Sequence, residues 1–234
     1  MKVFAISDLH LSINNPKPMD IFGPAWDNYI DAIKLDWQQK VSPDDIVIIA
    51  GDISWAMSLS DAVVDLEYIS KTLGVGKKVI IRGNHDYWWD TISKVRKQLP
   101  ENVYAIQNDS IKFDGVVLCG TRGWVLPETK TLEPQDQKIV DREAIRLEMT
   151  LKSAQEKATN GEEIICIMHY PPFNSRREDS PFTKLIEQYG VKKVVYGHLH
   201  GTGGKSDLVV HKNGVTYYLT SCDKLSNQLV LIKE

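Results

Sequence analysis

This sequence predicts an α/β architecture of mixed sheets, layered as a sandwich with helices outside. Three observations lead there. In the first half, apolar runs of strand length alternate with stretches of helical period, which implies parallel strands joined by crossovers. The middle and the C-terminal part are rich in hairpin signals, which adds antiparallel strands to that frame. Finally, five apolar runs end abruptly in polar side chains that bind metals or move protons.

The elements follow in order. Lys2 to Ser7 reads as a strand that empties into Asp8-Leu9-His10-Leu11-Ser12. A Pro- and Asn-bearing loop leads to Pro24, well placed as the first residue of a helix reaching about Lys40, with Trp26, Ile30, Ile33 and Trp37 on one face. Asp45 to Ala50 is a strand ending in Gly51-Asp52. Ser60 or Asp61 can cap a helix carrying Val64, Leu66, Ile69 and Leu73, stopped by Gly74 and Gly76. Lys78 to Ile81 is a strand ending in Arg82-Gly83-Asn84-His85-Asp86. Asp90 caps a short helix from Thr91 to about Gln98.

Val103–Ile106, Ile111–Phe113 and Val116–Gly120 read as strands, the last two joined through Asp114-Gly115. Pro134 to Asn160 predicts one long charged helix with Ile139, Ile145, Leu147 and Leu151 among its apolar positions; it is either an outer helix with one packed stripe, or a lid or dimer face. Glu163 to Met168 is a strand ending in His169-Tyr170. Ser180-Pro181 opens a helix to about Tyr189. Lys192 to Tyr196 is a strand ending in Gly197-His198-Leu199-His200. Leu208–His211 and Val215–Thr220 form a hairpin across Asn213-Gly214, and Gln228–Ile232 is the last strand. Without repeats or a linker, residues 1–234 are expected to form one domain.

The bulk numbers exclude some function classes. Hydrophobic content of 42% and charged content of 25% are ordinary for a globular protein. A formal net charge of −3 implies no general nucleic-acid-binding surface. No run approaches the roughly 18 apolar residues of a membrane span. The N-terminal apolar run is too short for a secretory segment. Cys119, Cys166 and Cys222 are odd in number and set in or beside apolar runs, which predicts buried reduced thiols and a cytoplasmic location.

The residues after the strands form a set: Asp8 and His10; Asp52; Asn84 and His85; His169; His198 and His200. In open α/β sheets, ligands bind beyond the carboxyl ends of the strands, where these tips can converge. The spacing of Asp8-x-His10 and of His198-x-His200 would let alternate residues of an extended chain point the same way. Gly51 and Gly83 would permit a sharp exit from their strands. Gathered in one place, these groups would repel one another and suffer desolvation unless something positive sat among them. A metal centre is the simplest occupant, and seven candidate ligands are too many for one ion. The sixth histidine, His211, lies in a hairpin strand and is expected to be structural.

Asp-x-His, Gly-Asp, Gly-Asn-His-Asp, an isolated His and Gly-His-x-His, in this order from Ser7 to His200, resemble the calcineurin-like metallophosphoesterases, in particular their small bacterial-type phosphohydrolase branch. The resemblance implies a four-layer α-β-β-α sandwich: two mixed sheets flanked by helices. It implies two metal ions, one held by Asp8, His10 and His200, the other by Asn84, His169 and His198, with Asp52 bridging. The mixed nitrogen and oxygen set without thiolate suits Mn, Fe, Zn, Ni or Co. It implies hydrolysis of a small phosphomonoester or phosphodiester by a metal-bridging hydroxide, with His85 protonating the leaving oxygen.

Departures from the family pattern narrow the substrate. Ile53-Ser54-Trp55 follows Gly51-Asp52 where protein phosphatases carry an Asp-Arg pair, which argues against that class and leaves the partner orienting His85 unidentified. Trp55 stands where purple acid phosphatases carry Tyr. Arg122, Arg176 and Arg177 are candidates for contacting a substrate phosphate. Tyr87-Trp88-Trp89 can either stack on a ring of the substrate or pack in the core. The competing readings are a non-catalytic scaffold on the same fold and a DNA-processing nuclease. The intact ligand set opposes the first; the acidic balance opposes the second.

Overall fold

The computed structural model describes residues 1–128, 132–201 and 206–234. Its first sheet is built from β1 (Val3–Ile6), β2 (Ile46–Ile49), β3 (Lys77–Ile80), β4 (Val103–Ala105) and, at the far edge, β11 (Val230–Lys233), in the order β11-β1-β2-β3-β4. β1 to β4 run parallel; β11 closes on β1 antiparallel. The second sheet holds β5 (Ser110–Phe113), β6 (Val116–Thr121), β7 (Glu163–Met168), β8 (Lys193–Tyr196), β9 (Val209–Lys212) and β10 (Val215–Leu219), in the order β5-β6-β7-β8-β10-β9. Its inner strands β6, β7, β8 and β10 are parallel, and the two outer strands are hairpin partners running against them.

Strand alternation sorts each side chain into one of three interlayer spaces. Val3, Ala5, Ile46, Ile48 and Val79 of the first sheet meet Val116, Leu118, Ile165 and Ile167 of the second in the central core. Phe4, Ile6, Val47, Ile49 and Ile80 face the other way, onto α1 (Tyr29–Lys40) and α2 (Leu59–Tyr68) through Ile33, Trp37 and Leu66. Val117, Cys119, Cys166, Met168 and Val194 face α4 (Pro134–Lys157) and α5 (Pro181–Gln188) through Leu147, Leu151, Phe182 and Ile186. The remaining helix, α3 (Ile92–Gln98), lies near β4. Helix, sheet, sheet, helix: this is the layered sandwich the resemblance implies. β1 and β2 are buried on both faces, and each fully buried Val or Ile contributes about 1.5–3 kcal/mol, which fixes these strands as the centre of their sheet.

Some elements differ from the sequence reading. The helix expected from Pro24 begins at Tyr29, because Asn28 takes a left-handed φ of 50° and leaves Pro24–Trp26 as a separate 3₁₀ turn. Ser58, rather than Ser60 or Asp61, caps α2, accepting the Asp61 N–H at 3.2 Å. In α4, Ile145 points to solvent while Val140, Glu143, Leu147, Thr150 and Leu151 form the buried stripe. Two of these are polar because Thr150 Oγ1 accepts the Gly120 N–H and Glu143 accepts from Thr121 and Gly123. α4 is therefore a packed outer helix. The three cysteines are buried and unbridged. No helix among the described residues is long and apolar enough to cross a membrane.

Candidate metal centre

The parallel strands of the two sheets release their chains at one edge, and the tips are laced together there. The Asp8 N–H donates to Gly51 O (2.9 Å) and the His10 N–H to Asp52 O (3.0 Å), so the two loops run on side by side. Asp8, His10, Asp52 and His198 all take left-handed φ values, 61°, 45°, 50° and 71°. The convergence of Asp8 with His10 and of His198 with His200 is thus produced by left-handed turns and not by extended alternation, as their spacing had implied. Such conformations cost on the order of 1–3 kcal/mol each and persist where the surrounding structure enforces them; Asp, Asn and His tolerate them best. Gly51 itself sits at φ 91°. Gly83 is required for a different reason than a turn: a Cβ there would lie 2.1 Å from Asp52 Oδ1.

The tips bring all seven predicted ligands into one cluster with two lobes. In one lobe, Asp8, His10, Asp52 and His200 place one ligand atom each within 4.8 Å of one another, a group able to hold a metal ion. His200 Nε2 lies 2.9 Å from Asp8 Oδ1. In the other lobe, Asn84 Oδ1 lies 2.7 Å from His169 Nε2 and 2.9 Å from His198 Nδ1. Asp52 joins the lobes: its Oδ2 stands 3.8 Å from His10 Nε2 and 3.4 Å from His169 Nε2, while Oδ1 accepts the His85 N–H at 2.7 Å.

Burial opposes ionisation of Asp8, yet the hydrogen bond and charge of His200 hold its carboxyl well below the usual range. Asp52 is likewise held low by His169 against burial. Burial draws His10 and His198 each down to about 4, so both are neutral and ready to ligate. Burial works the same way on His169, but Asp52 pushes it up to about 9. Against burial, Asp223 and Asp8 push His200 up to about 10. The two protonated imidazoles, His169 and His200, thus face three carboxylates, Asp8, Asp52 and Asp223. The residues fit metal ions on this geometry. His10 is buried, with Nδ1 lacking any partner and Nε2 meeting only a distant Asp52 oxygen. The donors are nitrogen and oxygen throughout.

Carbonyl and carboxylate acceptors fix the ring faces. His169 Nδ1 donates to Ala50 O (3.0 Å) and His200 Nδ1 to Asp223 Oδ1 (3.0 Å), which turns both Nε2 atoms toward the cluster. Asp223 was missed by the sequence reading, as was Ser7, whose hydroxyl donates to Asp8 Oδ2 at 2.5 Å. The only signal for Asp223 is a lone carboxylate shortly after a hairpin. Asp86 binds no cluster member; it accepts N–H bonds from Ile53, Ser54, Gly83 and Trp88, tying the two loops, while burial and the charge of Asp52 push it up to about 6.

His85 is half-buried beside the cluster, its ring centroid 4.8 Å from Trp55 and 5.5 Å from His10, with Nδ1 lacking a partner. Ring packing and the backbone bond to Asp52 hold it, in place of a carboxylate partner. Trp88 and Trp89 are core residues, whereas Tyr87 is exposed beside His85. Arg122 lies beside the second lobe: its carbonyl accepts the N–H groups of His169 and Tyr170, and its guanidinium stacks 4.8 Å over Trp124. Arg177 pairs with Asp207 and lines a groove next to His198. Arg176 is on the surface, 3.0 Å from Glu178. His211 is exposed on β9 beside Thr216.

A profile described as calcineurin-like phosphoesterase matches residues 1–202. Among solved structures, TT1561 of Thermus thermophilus matches with a TM-score of 0.58 and 13% identity, over 99% of this chain and 97% of that one. Protein AQ665 of unknown function from Aquifex aeolicus matches at 0.48 and 12%, over 98% and 95%. A 5'-nucleotidase precursor from Thermus thermophilus matches at 0.46 and 14%, over 94% of this chain and 48% of that one. Of these three structural similarities only the one to TT1561 bears on this chain, and it bears on fold alone. No curated protein matches.

Proposed function

From the premise that the chain belongs to the calcineurin-like phosphoesterase family, we propose that it is a dinuclear-metal phosphohydrolase acting on a small phosphomonoester or phosphodiester. The family and the Asp8, His10, Asp52, His200 group support a metal-dependent phosphoesterase. The finer reading places one ion with those residues and a second with Asn84, His169 and His198, Asp52 serving both. It takes residues 1–234 as one catalytic domain. The observation that carries it is the position of Asp52 Oδ2, between the Nε2 atoms of His10 and His169, one from each lobe.

Bound ions of the Mn, Fe, Zn, Ni or Co type supply Lewis-acid charge at the phosphoryl oxygens and lower the pKa of water. The chain does the rest. His85 sits beside the ligand set without ligating and delivers a proton to the leaving oxygen. Asp52 holds the His85 backbone through its N–H, and Trp55 and His10 hold the ring. The groove beside His198, about 320 Å³ and lined by Leu126, Tyr170, Phe173, Tyr196 and Leu199, receives the organic part of the ester.

Metal analysis of the purified protein, with p-nitrophenyl phosphate and bis(p-nitrophenyl) phosphate assayed in added Mn, tests this. About two ions per chain and turnover of at least one ester are expected. A protein that holds no metal and cleaves neither ester is not this enzyme.

A further inference from the structure

Three arginines line a polar cavity of about 100 Å³ that none of the proposed metal ligands lines, and the charges of Arg82 and Arg146 both act on Arg122. Arg82 leaves the tip of β3, Arg122 leaves the tip of β6, and Arg146 reaches in from α4; Gln107, Asn108 and Glu143 complete the wall. Glu143 is the sole carboxylate lining it among the described residues, and its oxygens are committed. Oε1 accepts from Arg146 at 2.5 Å, and Oε2 accepts from Thr121 Oγ1 (2.7 Å) and from the Gly123 N–H (3.1 Å).

Arg82 and Arg122 are left without a carboxylate in salt-bridge reach among the described residues, and the buried Nε of Arg82 has no hydrogen-bond partner. An unpaired buried donor costs about 1–3 kcal/mol, more when charged. Like charges in a small cavity add to that. Arg forks match tetrahedral oxyanions through paired N–H bonds.

We propose that this cavity is a second anion site, taking a phosphate-type tetrahedral oxyanion between Arg82, Arg122 and Arg146. It adjoins the metal centre through the backbone on both sides. Arg82 is two residues before Asn84, and the Arg122 carbonyl holds the N–H groups of His169 and Tyr170. The anion is either a second phosphate group on the substrate or free phosphate. The site's occupancy does not depend on catalysis at the metal centre.

Tungstate soaked into crystals of the Mn-loaded protein tests the site directly. A peak within hydrogen-bond reach of the Arg82 and Arg122 guanidiniums is expected. Calorimetric titration with inorganic phosphate should then show a class of binding weakened roughly tenfold or more by Arg82→Gln or by Arg146→Gln. The two variants lie on different elements, so failure of one to fold leaves the other. Tungstate at the metals alone, or phosphate binding unmoved by both variants, overturns the inference. If Arg82→Gln raises KM for a bis-phosphorylated ester far more than for bis(p-nitrophenyl) phosphate, the anion belongs to the substrate. An equal response of the two esters, with phosphate binding lost, assigns it to free phosphate. An active enzyme with an empty cavity sinks only this inference; an inactive protein with tungstate there sinks only the proposed function.

Discussion

The two sheets bring different chemistry to their shared edge. The five-stranded sheet supplies the oxygens, Asp8, Asp52 and Asn84, together with His10; the six-stranded sheet supplies imidazoles alone, His169, His198 and His200. Three of the four left-handed positions in the cluster, Asp8, His10 and Asp52, follow strands of the first sheet, and only His198 follows the second. One sheet thus carries most of the negative charge and most of the backbone strain. The other carries the titratable nitrogens that answer them. Neither sheet alone presents a charge-balanced tip; the opposed charges meet only where the two sheets share an edge.

The severest way to break this division is Asp52→Asn, which removes the oxygen shared by both lobes. Metal content should fall and turnover drop by roughly a thousandfold or more, since several kcal/mol of transition-state stabilisation goes with the ions. Mass spectrometry of the bound metals and initial rates check it; full occupancy would show that the lobes do not share Asp52. Next in size is His85→Gln. Turnover should fall by about 10²–10⁴-fold with metal content intact. Loss of metal in that variant would make His85 a ligand and remove its assigned role.

Asp223→Asn sharpens the comparison, because it alters the second sheet's His200 without touching a ligand. Metal affinity should weaken about 10–100-fold, read by competition with a chromogenic chelator. The mildest effect is protonic. His169 and His200 carry protons near neutral pH, at about 9 and about 10, whereas His10 and His198, at about 4, do not. Ligation requires neutral rings, so loading the metals should expel about two protons, both from the second sheet. Apparent affinity therefore climbs as pH rises from neutral toward about 10 and falls on acidification. Titration calorimetry in buffers of unlike ionisation enthalpy counts the protons; none released would mean the carboxylates of the first sheet face no imidazolium.

Much of this was readable in the letters. Apolar runs that stop at Asp8, Asp52, Asn84, His169 and His198 announce strand tips, because continuous hydrophobicity demands burial on both faces and the polar residue must then leave the sheet. What stayed hidden was whatever depends on distant packing. Asp223 sits in a plain Ser-Cys-Asp-Lys stretch, and nothing in its neighbours shows that it meets His200. Glu143 and Thr150 look like solvent-face residues of a charged helix until β6 and the loop after it give them donors to accept. Left-handed turns are equally silent, since residue type merely permits them. The single residue Asn28 moved a helix start because one left-handed φ outweighed a favourable Pro24.

The return of β11 to the edge of β1 sets an order of assembly. A ribosome that has translated residues 1–200 has delivered all seven proposed ligands, yet β9, β10, Asp223 and β11 are still unmade. The first sheet then has a bare flank at β1, and His200 lacks the acceptor that aims its ring. The segments that aim His200 and cover the flank of β1 are thus translated after every residue of the cluster they serve.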